Sequence, residues 1–393
     1  MKKILFTVLA TLMVLPAMGR RYPFVRVERN EVQFPAGDSP DFRRFLRKTD
    51  SLVLYGTGSV RVLHVGGSHV QGGTWSGRLR NHFLALRYGM DGGRGLVFPF
   101  AAAGTNTPAT YNTSSTAGWE YTRCLSPDWD LGLVGVGIRG NDTTARATID
   151  LLPREVHVMQ QRFAFNRVAL LGYGDREPVL LLSKKDTLWG WQDGPLWRFN
   201  MPCYTDWVQI GLSAQSSGSY TLEGVYLDKS TGGFTYSEAG VNGASTTSWL
   251  KCDHWERDVK LVMPDLVIFS IGINDIQGTD FNSDRFKSNY KELIKMVRKA
   301  NPRCAILFTG INDSVLRRGR VNPHTEEVER IFAELAREYK AAFWDMYGIM
   351  GGYGSMAVWK EAGLSQGDQV HFTADGYRLL GDLMFDAIMN CSR

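Results

Sequence analysis

Three short motifs in this 393-residue chain bring together the residue types of an acyl-transfer catalyst. Ser68 closes Gly66-Gly67-Ser68, with His69 after it; Asn274 lies in Gly272-Ile273-Asn274-Asp275; Asp368 precedes His371 by three positions in Asp368-Gln369-Val370-His371-Phe372. A serine on a glycine turn between strand and helix exposes its hydroxyl, and its N–H sits near the helix start, where developing negative charge is stabilised. An aspartate three residues before a histidine, on a turn, reaches one ring nitrogen and leaves the other for the serine. Nucleophile, base and orienter are thus available as Ser68, His371 and Asp368. A second Gly-Ile-Asn-Asp, from Gly310 to Asp313, competes with the first. The first is preferred, and Asn312 and Asp313 are read as capping a turn or lining the pocket. His69 touches substrate or supports the loop; His64, inside an apolar run, reads as a packed core histidine.

Chemistry of this kind needs a rigid frame. Val60 to Val65 is a β-branched strand pattern, and Trp75 to Tyr88 then carries apolar residues at helical spacing. The pattern recurs later: strand 265–271, helix 284–300, strand 305–309, helix 325–339, strand 342–346 and helix 374–389. Such alternation predicts an α/β domain with a parallel sheet and helices on both faces, whose reactive groups sit at the carboxyl ends of the strands. Between about Gly104 and Thr231 the pattern changes to short alternating runs, 145–151, 155–159, 179–182 and 207–212, separated by turn residues. That stretch predicts an antiparallel, all-β sandwich inserted into the α/β domain. It holds Trp119, Trp129, Trp189, Trp191, Trp197 and Trp207, six of the 11 tryptophans. Core packing is expected for most of them, with a sugar-stacking platform as the alternative.

Composition excludes several classes. At 44% hydrophobic and 22% charged residues the chain is neither disordered nor fibrous, and 42 glycines argue against a helical bundle. A net charge of +5, from 45 basic and 40 acidic residues, gives no concentrated basic face for nucleic acid. Met1-Lys2-Lys3, an apolar run to Val14 and Ala17-Met18-Gly19 form a signal-peptide pattern, with cleavage expected after Gly19. The apolar run is too short to span a bilayer, so export without membrane insertion is expected, to the periplasm or outside the cell. Five cysteines, Cys124, Cys203, Cys252, Cys304 and Cys391, leave at least one unpaired. A Cys124 to Cys203 bridge is one option, although spacing does not fix the pairing.

The motifs, in their order, resemble those of the SGNH or GDSL hydrolases. Ser68 matches the serine block, Gly243 in Gly240-Val241-Asn242-Gly243 the glycine block, Asn274 the asparagine block, and Asp368 with His371 the last block. Gly240, three positions before Gly243, competes for the glycine role. The resemblance implies a flavodoxin-like, three-layer parallel-sheet domain. It also implies an oxyanion hole from the backbone N–H groups of Ser68 and Gly243 and the Asn274 side-chain amide. The match is closer to the peptidoglycan O-acetylesterase branch, which carries a β-rich insertion between the first two blocks. Here the units would be a signal peptide at 1–19, hydrolase parts at 20–104 and 232–393, and an insertion at 105–231. One departure stands out: the family usually has aspartate before the serine, and this chain has Gly67.

The function implied is an exported serine esterase that removes O-acetyl groups from a polysaccharide, peptidoglycan foremost, through an acetyl-enzyme and with no metal or organic cofactor. Its partner would be an O-acetylated glycan. Two alternatives stay open: a polysaccharide O-acetyltransferase, since a sugar hydroxyl can intercept the same acyl-enzyme, and a polysaccharide-binding protein whose hydrolase core has decayed.

Overall fold

The structure is a computed structural model describing residues 22–151, 164–278, 280–316 and 319–391. The proposed leader and the run read at 155–159 lie outside the described residues. Five parallel strands form the central sheet: β1 (Ser59–Gly66), β2 (Gly233–Gly240), β3 (Leu266–Ser270), β4 (Ala305–Thr309) and β5 (Ala342–Trp344). Their spatial order is β2-β1-β3-β4-β5, the flavodoxin-like order, with the short strand Val32–Gln33 antiparallel on the outer edge of β5. β3 and β4 are buried along their whole length because helices cover both faces, which is why they read as unbroken apolar runs.

The helices are α1 (Pro40–Tyr55), α2 (Thr74–Ala85), α3 (Trp255–Val262), α4 (Ser283–Ala300), α5 (Thr325–Tyr339) and α6 (Ala374–Asn390). Phe83 of α2 meets Phe45 of α1 and Phe385 of α6, which places these three in one layer. Phe286 of α4 meets Phe332 of α5, and α3 packs beside α4, forming the other layer. α1, absent from the sequence reading, starts with Pro40 in its first turn and buries Phe42, Phe45, Leu46 and Leu52. Each such burial contributes on the order of 2 kcal/mol. β2 was also not anticipated. It carries the polar residues Thr235, Ser237 and Glu238, and Glu238 is held by the buried guanidinium groups of Arg80 and Arg94.

The insertion consists of two antiparallel sheets sharing one core. The five-stranded sheet contains Trp207–Leu212 between Pro178–Leu181 and Ala147–Asp150. The seven-stranded sheet includes Leu196–Thr205, Phe165–Gly174 and Tyr220–Asp228, and Gly95–Val97 pairs with the last of these. The tryptophan expectation is corrected: Trp189, Trp191 and Trp207 are exposed, and Trp119, Trp129 and Trp197 only half-buried. The fully buried tryptophans, Trp75, Trp249, Trp255, Trp344 and Trp359, belong to the α/β part, where Trp75 packs against Trp344 and Trp359 against Phe372. The Cys124 to Cys203 bridge is not formed. Cys124 is buried and Cys203 exposed on the outer run of its strand, and all five cysteines are free. No helix among the described residues is long and apolar enough to cross a membrane.

His64 lies wholly inside, with Nε2 on the Ser270 hydroxyl at 2.7 Å and Nδ1 on the Tyr236 hydroxyl at 2.9 Å. Burial pushes its pKa down to about 3, against a smaller upward pull from Glu238. The unfolded chain therefore takes up a proton below about pH 6.5 that the folded chain refuses until about pH 3. The stability this histidine contributes is complete above that window and is lost as pH falls through it. In His64→Gln, the stability deficit relative to wild type should shrink by about 1.4 kcal/mol per pH unit on acidification. Urea unfolding across the window checks this; a constant deficit would show that His64 titrates normally.

Candidate active site

Ser68 lies just past the carboxyl end of β1, opening a one-turn helix, Ser68–Gln71. His371 and Asp368 occupy the turn before α6, which Thr373 caps by accepting from the Gly376 N–H. The Ser68 hydroxyl is 2.8 Å from His371 Nε2, and His371 Nδ1 is 2.7 Å from Asp368 Oδ2. Residues 303 positions apart thus meet in one hydrogen-bonded chain. The other carboxylate oxygen, Oδ1, accepts the Val370 and His371 backbone N–H groups, each at 3.0 Å, and shapes the turn. Partial burial raises the Asp368 pKa, but the hydrogen bonds from the His371 ring and from those two N–H groups outweigh it and hold the carboxyl below its ordinary value. The His371 side chain is 34% exposed and that of Asp368 46%, so the pair is open to a large substrate.

The oxyanion candidates lie on neighbouring loops. Gly243 adopts φ 81°, a left-handed conformation that disfavours any side chain, in the loop after β2. Among the described residues, neither the Ser68 nor the Gly243 backbone N–H has an acceptor. Asn274 donates one amide hydrogen to the Ala244 carbonyl at 2.9 Å, which ties the asparagine loop to the glycine loop and leaves the second hydrogen for a ligand. Of the competing glycines, Gly240 is the last residue of β2 and packs against the Gln71 backbone, so the loop position belongs to Gly243.

Several supporting residues escaped the sequence reading. Gln71 accepts the Asn242 N–H at 2.6 Å and donates to the Asn106 carbonyl at 2.8 Å, fixing the glycine loop to the serine helix. Asp275 accepts the Thr246 N–H and hydroxyl, the latter at 2.6 Å, at the start of the short helix that follows Gly243. Burial pushes its carboxyl up to about 6, opposed by those Thr246 hydrogen bonds. The only hint of Asp275 was its place beside Asn274. In the second Gly-Ile-Asn-Asp, Asn312 donates to the Val370 carbonyl at 3.0 Å and Asp313 accepts from the Met356 N–H at 3.0 Å. That copy braces the histidine turn from behind. His69 is buried, bonded through Nδ1 to the Tyr377 hydroxyl at 2.6 Å, and packs against the His371 ring at 5.3 Å between centroids. Burial, reinforced by His371, brings its pKa down to about 3 despite Asp368, so it forms a neutral wall for the His371 imidazole.

Gly67 now has a physical reason. A Cβ there would sit 3.0 Å from the Asn274 amide nitrogen and 3.6 Å from the Ala244 carbonyl oxygen, pressed against one side of the hydrogen bond joining the two loops. With Asn274 as an oxyanion donor, Gly67→Ala should lower kcat by about 10-fold on a small acetyl ester with little change in KM, because the amide would be displaced from the transition state. Steady-state kinetics checks this, and an unchanged kcat would place Asn274 outside the oxyanion site. The insertion also reaches this region: Leu125 lies beside Gly243, and Lys251 donates to the Leu125 carbonyl at 2.7 Å. A cavity of about 300 Å³ adjoins Asn274, lined in part by Arg285, Phe281 and Asn289. Among the described residues no cluster of three or more histidine, cysteine or acidic side chains is arranged to hold a metal ion.

A sequence model of the GDSL-like lipase/acylhydrolase family matches residues 207–379. These residues, which start on the last strands of the insertion and run into α6, are similar to that family. The matched residues include Asn274, Asp368 and His371, whereas Ser68 lies before them, on the far side of the inserted sheets. No curated protein sequence matches the chain. A solved structure described as a peptidoglycan O-acetylesterase in action is 22% identical, with a TM-score of 0.74 over 92% of this chain and 98% of that one. The likeness spans the α/β domain and the insertion alike, and it shows a shared fold. An acetyl xylan esterase is 21% identical over 39% of this chain and 80% of its own, with a TM-score of 0.31. A GDSL-like lipase from Bacteroides thetaiotaomicron is 19% identical over 40% and 76%, with a TM-score of 0.32.

Proposed function

We propose that the protein is an exported serine esterase that removes O-acetyl groups from a polysaccharide of the cell envelope, peptidoglycan, through an acetyl-enzyme on Ser68. The observation that carries the reading is the unbroken hydrogen-bond chain Ser68, His371, Asp368 at 2.8 and 2.7 Å. In the first half-reaction the Ser68 Oγ attacks the acetyl carbonyl carbon as His371 Nε2 accepts its proton, and Asp368 stabilises the imidazolium through Nδ1. The carbonyl oxygen becomes an oxyanion facing the Ser68 and Gly243 N–H groups and the Asn274 amide, where each donor is worth about 3 to 4 kcal/mol in the transition state. The tetrahedral adduct collapses, the sugar oxygen leaves with the proton from His371, and acetyl remains on Ser68. Water, deprotonated by His371, then releases acetate.

Both the 34% exposure of His371 and the full-length likeness to a peptidoglycan O-acetylesterase support a polymeric glycan as substrate. The lysine-rich, apolar N-terminal pattern supports export. A binding protein with a decayed core would have no reason to keep this hydrogen-bond chain. Acetate release from O-acetylated peptidoglycan, compared with acetylated xylan, tests the proposal. Faster release from peptidoglycan is expected; release from xylan alone would move the substrate to a plant glycan, and no release from either would contradict the reading.

A further inference from the structure

At the opposite end of the central sheet from Ser68, the insertion and the α/β domain enclose a cavity of about 400 Å³, within the usual size range of small-ligand sites. Two rows of cross-strand partners on one face of the seven-stranded sheet build its insertion wall. In the first, Trp191 pairs with Arg198, Arg198 with Ala169, and Ala169 with Tyr226, a row about 14 Å long at the usual strand spacing. In the second, Asn200 pairs with Arg167 and Arg167 with Asp228. Ala169, small and central, leaves the gap between the two aromatic ends. The α/β domain closes the other side with Arg61, at the start of β1, and the last turn of α3.

Three arginines line this cavity against one aspartate, Asp228, which Arg167 engages through both oxygens. Arg198 has Asp193, outside the lining, as its partner. The Arg61 guanidinium has no hydrogen-bond or ion-pair partner among the described residues, and the Tyr226 phenol feels its charge. Trp191 lines the cavity yet is 47% exposed, where a core tryptophan would be enclosed. An aromatic face suits the C–H face of a pyranose. A guanidinium fork suits a carboxylate, which it can hold through two parallel hydrogen bonds.

We infer that this cavity is a second glycan-binding site that takes an acidic saccharide unit, its ring on Trp191 or Tyr226 and its carboxylate on Arg61. The inference rests on the glycan-esterase reading and extends it. Arg61 precedes Ser68 by seven residues on β1, roughly 20 Å along an extended strand, so an acidic polymer held here stays near the catalytic serine without occupying it. Anchoring of that kind raises the local concentration of esters on the same chain.

The test is calorimetric titration of Ser68→Ala protein with tetragalacturonate as the acidic probe and maltotetraose as the neutral one. Binding of the acidic probe alone is expected, weakening at least 10-fold in Arg61→Ala and in Trp191→Ala and falling with added salt. The same two substitutions in the otherwise wild-type chain should leave p-nitrophenyl acetate hydrolysis within about two-fold, which also reports that the variants fold. Equal affinity for both probes, no binding of the acidic one, or binding indifferent to both substitutions would overturn the inference. Acetate release from glycans with no tetragalacturonate binding would sink this site and leave the esterase reading standing; binding without acetate release would do the reverse.

Discussion

Ser68→Ala should abolish turnover of acetyl esters, lowering kcat by about 10⁴-fold or more while leaving substrate binding largely intact. The hydroxyl makes one described hydrogen bond, to His371, and its removal exposes no buried polar partner, because the imidazole faces the open cleft. The loss is therefore of the covalent route alone. Any residual rate would come from the backbone N–H groups of residue 68 and Gly243 and the Asn274 amide polarising a carbonyl for attack by water. Single-turnover acetate release from p-nitrophenyl acetate measures this directly, and thermal unfolding within a degree or two of wild type would show that the fold is untouched. A variant retaining a tenth of wild-type activity would remove Ser68 from the mechanism.

Asp368→Asn should cost nearly as much, about 10⁴-fold in kcat, for a different reason. The carboxylate does two jobs with two oxygens: Oδ2 meets His371 Nδ1 at 2.7 Å, and Oδ1 accepts two backbone N–H groups. An asparagine keeps an oxygen for the backbone and places its NH₂ against Nδ1. The turn survives, but Nδ1 must then be the acceptor, so the ring proton moves to Nε2, where the base is needed. Asp368→Ala removes the brace as well and should lower stability in addition to activity. Equal kcat in wild type and Asp368→Asn would mean that His371 is oriented by other contacts, such as the His69 ring.

How far the sequence carried this account depended on whether a residue's role is local. The serine turn, the DQVH turn and the runs that became β1, β3, β4 and β5 are legible because glycine, the three-residue Asp–His spacing and continuous apolar stretches each impose a local geometry. The insertion was legible from its change of period. β2 was not, because Thr235, Ser237 and Glu238 interrupt its apolar residues, and Glu238 is tolerated there only through the distant arginines Arg80 and Arg94. Gln71 and Asp275 were invisible for a related reason: each acts on a loop far away in sequence, at Asn242 and Thr246. Gly67 looked like a defect in a familiar motif. The Asn274 amide, 3.0 Å from where a Cβ at that position would be, shows that a side chain here would crowd the asparagine loop. The tryptophans misled in the opposite direction, since a large apolar ring is ordinarily core and here the insertion leaves three of them exposed.

The central claim is that Ser68 is a nucleophile activated by His371. Its most direct test is labelling with a fluorophosphonate, followed by peptide mass spectrometry of wild type, Ser68→Ala and His371→Ala. The account predicts one stoichiometric adduct in wild type, located on Ser68, none in Ser68→Ala, and labelling slowed by orders of magnitude in His371→Ala. An adduct on another residue, or acetate release by a protein that Ser68→Ala leaves undiminished, would contradict it.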